Sequence, residues 1–245
     1  MFNYIWHTFF FDPVYNSLVF FIDVLPNADV GLAIVATTIL VKTVLLPISI
    51  KAAKTQVVMR ELDPKLKEIK EKHKDNKEEQ AKAMMAVYKE SGLNPFASVF
   101  LVLLQIPIII ALYLAVVRGG GVPLPEINVD LLYSFVAVPE MVNMMFVGVI
   151  DITTKSLPLA LLAGVAQFFQ ARLVTPPLEP RDPNKAPDFK ADFQRSMQLQ
   201  MRYVLPIIIA VMAYIISAAI AIYFTISALA SIAQELYVKK YRTKM

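Results

Sequence analysis

Few residues in this 245-residue chain could do chemistry, and Lys42 stands out among them. It is the single charge inside the apolar run Gly31–Ile50, GLAIVATTILVKTVLLPISI. Twenty residues at ~1.5 Å per residue make a helix of about 30 Å, the hydrocarbon thickness of a bilayer. Lys42 lies about two turns from the end of that run, too deep for a border residue. A charge at such depth costs roughly 2.5–3.5 kcal/mol on insertion scales, so it faces a watery cavity or a partner. No carboxylate falls within residues 94–117, 157–174 or 203–234, which argues against a buried ion pair. The chemistry this allows is electrostatic: an ammonium in a wet intramembrane pocket, attracting an anionic group. The alternative is a side chain that snorkels to the nearer interface.

Other chemistries find little support. There is no cysteine, which excludes disulfides, thiol catalysis, thiolate metal sites and a lipid-modified N-terminal cysteine. The two histidines, His7 and His73, lie outside the apolar spans. HExxH, GxSxG and paired intramembrane carboxylates are missing, as is a phosphate-binding glycine loop. The expectation is therefore no enzyme, no metal and no cofactor.

The elements that must position Lys42 follow from composition and patterning. At 57% hydrophobic and 18% charged, the chain reads as an all-α, multi-span membrane protein. Residues 1–30 hold three acids and no Lys or Arg, so neither a secretory signal nor an Arg-rich transit peptide is visible. A bacterial plasma membrane fits best. Asp12-Pro13 reads as a helix start, with Val14, Leu18, Phe21 and Leu25 on one face. This predicts an amphipathic helix lying on the membrane, or else a short extra anchor.

Residues 31–50 form the first span. Residues 51–93 predict a polar helical hairpin. Asp63-Pro64 starts its first helix, which carries Leu66 and Ile69; Asp75-Asn76 makes the turn. Asn76 and Glu79 have capping-box spacing for the second helix, which runs through Met84, Met85 and Tyr88 to Ser91-Gly92. Asn94-Pro95 caps the second span, 94–117, which contains Gln105 and Pro107. Residues 118–156 predict an interfacial loop with short helices, and 157–174 a third span with Gln167 and Gln170. A second polar loop, 175–202, is Pro-rich and then helical from Asp188. The uncharged run 203–234 is too long for one comfortable span and predicts a tight pair, 203–217 and 218–238, before a short basic tail, 239–245. Five spans place 21 of the 24 basic residues on one side, counting Arg172 at the end of the third span. The positive-inside rule then puts the N-terminus outside and the C-terminus in the cytoplasm.

Several linked motifs resemble the YidC/Oxa/Alb insertase family over about Asp12 to Lys239. GLAIVATTILVKTVLLPISIK is similar to its first core span, with a basic residue shortly before Leu-Pro. MRELDPKLKEIKEKHKDNKEEQAKAMMAVYKESGLNPF resembles its cytoplasmic hairpin and closing Asn-Pro. LLQIPIIIALY and LPLALLAGVAQFFQ resemble its second and third spans. The resemblance implies a five-helix bundle around a hydrophilic groove, open to cytoplasm and lipid and sealed outside. It carries Lys42, Thr38, Gln105, Gln167, Tyr223 and Phe224 into that groove. Lys42 stands where most relatives have Arg, exchanging a permanent charged fork for a point charge. Ser217 and Ala219 replace a family Pro and Gly at the last turn, Ala228 replaces an Asn, and a long basic tail is missing.

The implied activity is insertion and folding of nascent membrane proteins, with the lipid bilayer as the receiving phase. Residues 51–91 would receive substrates or contact the Sec translocon or ribosome; equally they could be a solvated cap on the bundle. No sequence-specific nucleic-acid binding is expected, and a monomer suffices. Each residue also has a plainer reading. Thr38 and Thr43 could bond their own helix backbone, Gln105 and Gln167 could be interhelical hydrogen-bond partners, and Tyr223 and Phe224 could simply pack. The rival function is a small channel or secondary transporter with Lys42 as counter-charge, although five spans offer no pair of equivalent halves.

Overall fold

The computed structural model describes residues 2–92, 97–118, 121–175 and 195–242. The expected cap Asn94-Pro95 and most of the second polar loop, with its helix from Asp188, lie outside the described residues. Two compact units emerge, Met1–Thr43 with Ile108–Tyr237, and Val44–Pro107 with Val238–Met245.

The first unit opens with α1 (Phe2–Trp6), a π-helical turn (His7–Phe11) and α2 (Asp12–Val24) in one continuous run. Asp12 therefore does not cap a helix. Its carboxylate instead meets His7 Nδ1 at 2.8 Å. Pro13 sits in the first turn of α2, and the widened turn before it relieves the clash a proline ring makes with the preceding turn. The same device recurs later, where a π turn at Gln200–Val204 precedes Pro206. The buried face of α2 is Phe11, Tyr15, Leu18 and Ile22, with Val14 and Val19 alongside. Of the predicted apolar face, Val14 and Leu18 are buried within the protein, whereas Phe21 and Leu25 are only half-buried.

α3 (Val30–Lys72) runs 43 residues with Pro47 and Pro64 inside it. The expected break between a span ending at Ile50 and a new helix at Asp63-Pro64 does not exist. A proline removes one intrahelical hydrogen bond and strains the turn before it, yet the bonds on either side can carry the helix through. α5 (Ala97–Val117) buries Ile108, Ala111, Leu112, Ala115 and Val116, a stripe at helical spacing, while Ile106, Ile110 and Val117 are exposed.

In α6 (Leu157–Val174) and α7 (Leu205–Ile216) the small residues lie inside and the large apolar ones outside. Ala160, Ala163, Ala213 and Ala221 form one cluster, and a Cβ on Gly164 would come within 2.8 Å of the Ala210 methyl. Leu161, Leu162, Val165, Ile207, Ile208 and Val211 face outward. Such inversion suits helices surrounded by lipid, where small residues permit close backbone approach and bulky ones meet acyl chains. Among the described residues, four helices are long and apolar enough to cross a membrane: Val30–Thr55, Leu157–Val174, Arg195–Ile216 and Ala218–Lys240. Leu103–Val117 is a shorter apolar helix.

The long uncharged run does break into two helices. α7 stops at Ile216, Ser217 is extended (φ −175°, ψ 165°), and α8 (Ala218–Arg242) follows at once. The first amides of α8 lack helical acceptors and donate instead to the 121–156 loop, Ala218 N–H to the Thr154 carbonyl (2.8 Å) and Ala219 N–H to Ile152 (3.0 Å). That loop carries a 3-10 turn (Val129–Leu131) and a small antiparallel pair, β1 (Met145–Phe146) with β2 (Ile150–Asp151), rather than short α-helices alone.

Two buried polar side chains bind the loop to the helices. Asn16 donates to the Asp12 and Leu131 carbonyls (2.9 Å each) and accepts from Tyr133 N–H (2.6 Å). Asp29, 2% exposed, caps α3 by accepting from Leu32 N–H (3.0 Å) and holds Val147 N–H with its other oxygen (2.6 Å). The Tyr15 hydroxyl accepts from Asn128 N–H at 2.8 Å. The loop therefore covers the ends at which α3 and α8 begin.

In the second unit, α4 (Lys77–Glu90) folds back along the end of α3. Gln80 donates to the Lys70 carbonyl (2.9 Å), and Lys65 lies 3.6 Å from Glu90. Asn76 accepts from the Glu78 and Glu79 amides (3.2 Å each), but Glu79 reaches His73 (3.3 Å) instead of completing a capping box. Leu66 and Val87 are buried, while Met85 is exposed.

Candidate functional site: a polar ladder between apolar helices

Thr38 and Lys42 are one turn apart on α3, and Ser227 and Ser231 one turn apart on α8. The half-buried Lys42 Nζ donates to Ser231 Oγ at 3.2 Å. Ser231 in turn donates to the Ser227 carbonyl at 2.9 Å. The hydroxyl proton is thus committed to its own helix, leaving an oxygen lone pair turned to the ammonium. Ser231 is the one hydrogen-bond partner of Lys42 among the described residues, and no described carboxylate lies within ion-pair distance of it. A neutral hydroxyl satisfies one of three ammonium donors and leaves its charge uncompensated. Glu235 stands one turn beyond Ser231, at the edge of the apolar stretch.

The other sequence-predicted residues divide. Thr38 is 3% exposed and donates to the Ile34 carbonyl at 2.7 Å, the backbone-bonding alternative. Thr43 does the same to Ile39 at 2.8 Å. The neighbouring Thr37 hydroxyl is buried with no hydrogen-bond partner among the described residues. Tyr223 is 3% exposed and meets the Phe224 ring edge-on at 5.5 Å. Phe224 packs on the alanine cluster, and the pair lies about two turns from Ser231. Gln167 is half-buried on α6. Gln105 is half-buried in the second unit. Ser227 and Ser231 escaped the sequence reading; two serines four apart in an apolar helix were the available signal.

This arrangement can be set beside known proteins. The family described as 60Kd inner membrane protein matches residues 21–245. The chain belongs to that family, the YidC/Oxa group. Among YidC relatives, "Membrane protein insertase YidC" of Oceanobacillus iheyensis is 30% identical over 241 residues, 96% of this chain and 84% of the relative. The protein of the same name from Clostridium tetani is 27% identical, covering 89% and 86%. "Membrane protein insertase MisCA" of Bacillus subtilis is 29% identical, covering 91% and 76%. With four apolar helices of spanning length, this YidC/Oxa member is a multi-pass membrane protein.

Proposed function

We propose that this chain inserts nascent membrane proteins into the bilayer by offering their polar tails a wet, positively charged recess, without covalent chemistry. One observation carries the reading: a half-buried ammonium on an apolar helix, held by a lone hydroxyl and faced by no described carboxylate. A charge left uncompensated there is available to a passing anion. The names of its relatives point the same way.

In this reading α5 joins the four longer helices as a fifth span, giving an outside N-terminus and a cytoplasmic tail. The recess opens to cytoplasm and lipid, and the 121–156 loop closes the opposite end. An acidic substrate tail enters, drawn by Lys42, and crosses a shortened hydrocarbon path. Burial at roughly 25 cal/mol per Å² of apolar surface draws the following helix sideways into lipid. The membrane potential adds about 2.3 kcal/mol per charge per 100 mV as an acidic tail moves outward. Residues 51–91 act as the receiving surface for substrates, the Sec translocon or the ribosome. Gln167 lines the recess as a minor polar contributor, with Thr38 buried one turn behind Lys42. A channel or transporter reading has no observation in its favour.

The cysteine-free sequence makes the test direct. Lys42→Cys in sealed vesicles is expected to react with a membrane-impermeant thiol reagent from the cytosolic face. Reconstituted protein is expected to insert a single-span substrate with a short acidic N-terminal tail without nucleotide. An unreactive thiol removes the wet recess; small-ion flux without insertion would favour the channel.

A further inference from the structure

The β1–β2 tip, Val147-Gly148-Val149, has the wrong chemistry for a turn in water. Val147 (φ 51°) and Gly148 (φ 70°) are both left-handed, with Val149 N–H donating to the Phe146 carbonyl at 3.0 Å. Two positive φ angles are the geometry for which hairpins use Asn-Gly or Asp-Gly, and a β-branched residue is disfavoured there. Here Val147 is 63% exposed and Val149 76%. A Cβ on Gly148 would meet nothing within 4 Å, so the tip projects from the protein. The ten residues Met141–Ile150 carry no charge, and the nearby Asp29 carboxylate is buried and fully occupied.

The location of the tip identifies its surroundings. Phe146 packs so closely on the flank of Gly31 that a Cβ there would overlap the ring carbons. Because a Cβ projects radially, the hairpin lies beside the first turn of α3 rather than above it. That turn begins the span Val30–Thr55, so the tip lies level with the start of the apolar stretch of α3. We propose that Val147 and Val149 dip into the bilayer interface next to α3, making the hairpin a lipid-immersed foot for the loop that covers this end of the bundle. The occupant is lipid, and the proposal rests on the chain being a membrane protein.

The test places a nitroxide on Val149→Cys in the full-length protein, in vesicles of phosphatidylethanolamine and phosphatidylglycerol. Collisions with oxygen are compared with collisions with a water-soluble nickel chelate. The controls are Ile207→Cys, 64% exposed on α7, and Glu126→Cys, exposed on the same loop. The expected oxygen-to-nickel ratio at position 149 resembles that at 207 and exceeds that at 126 at least threefold. A ratio matching 126 overturns the proposal, as does shielding from both reagents, with dipolar broadening marking a second copy as the cover. Water-like behaviour at 207 as well would instead overturn the membrane placement of the bundle.

Discussion

The Lys42 ammonium and the Ser231 hydroxyl meet at 3.2 Å, joining α3 to α8 through the charge buried in the first span. A hydrogen bond to a charged group contributes about 1.5–3 kcal/mol. A double-mutant cycle of Lys42→Met and Ser231→Ala should therefore give a coupling of roughly 1–2 kcal/mol, allowing for the half-exposed ammonium. Unfolding in detergent measures it, and additive effects would show that the contact contributes nothing.

For insertion, the sign of the charge at position 42 should matter more than its shape. Lys42→Arg is expected to retain insertion of an acidic-tailed, single-span substrate. Lys42→Glu should lower it about tenfold, roughly 1.4 kcal/mol, and should affect neutral-tailed substrates far less. Protease protection of the tail in proteoliposomes reads this out. Equal activity of all three proteins would remove Lys42 from the mechanism.

How much of this was legible in the sequence depends on range. Lys42 declared itself because a charge among apolar residues is a local anomaly, and a break within 203–234 followed from its length and the flanking charges, while its place near Ser217 came from the family resemblance. The continuous α3 did not, because Asp63-Pro64 is a good local helix start whose signal tertiary context overrides. The spacing of Ser227 and Ser231 was a local signal, but the pairing of Ser231 with Lys42 was not legible because it depends on meeting a residue 189 positions away. Asp29 is one of the three acids of residues 1–30 with nothing local to mark it, yet its two oxygens bind amides of a helix start and of a distant hairpin. Tyr223 and Phe224 matched a family pattern, but the packing of Phe224 on the alanine cluster required the α6–α7–α8 arrangement.

The Gly31–Phe146 contact should make position 31 intolerant of any side chain. Gly31→Ala is expected to destabilise by about 1–3 kcal/mol, since backbone or ring must shift to admit the methyl. Phe146→Ala should cost stability alone but recover part of the loss when combined with Gly31→Ala. Detergent melting temperatures of the four proteins decide it; strict additivity would mean the ring is not the obstacle.

Replacing Asp29 separates capping from loop attachment. An asparagine at this position can still accept from Leu32 N–H, but its amide nitrogen cannot accept from Val147 N–H. Asp29→Asn should therefore cost about 1–3 kcal/mol for the unsatisfied group, with faster hydrogen exchange at Val147 and slow exchange kept at Leu32. Asp29→Ala should speed both. Unchanged exchange at Val147 in Asp29→Asn would rule out the carboxylate as the loop's anchor.

Alkaline pH should loosen the same cap through Tyr15. Burial raises the Tyr15 phenol above its ordinary value of 10.0, only partly offset by the Asn128 N–H donated to its oxygen. The neutral phenol is thus favoured in the folded protein, so the folded state holds more protons than the unfolded one above that value. Stability is then undiminished below about pH 10 and falls as pH rises toward the folded-state value. Tyr133 works in the same direction, raised by burial and by the Asp12 carboxylate. Tyr15→Phe should lower stability at neutral pH by losing the Asn128 contact, yet flatten the decline above pH 10. Unfolding curves between pH 8 and about 11, with phenolate absorbance followed in parallel, test both halves. A mutant declining as steeply as the parent would place the alkaline sensitivity elsewhere.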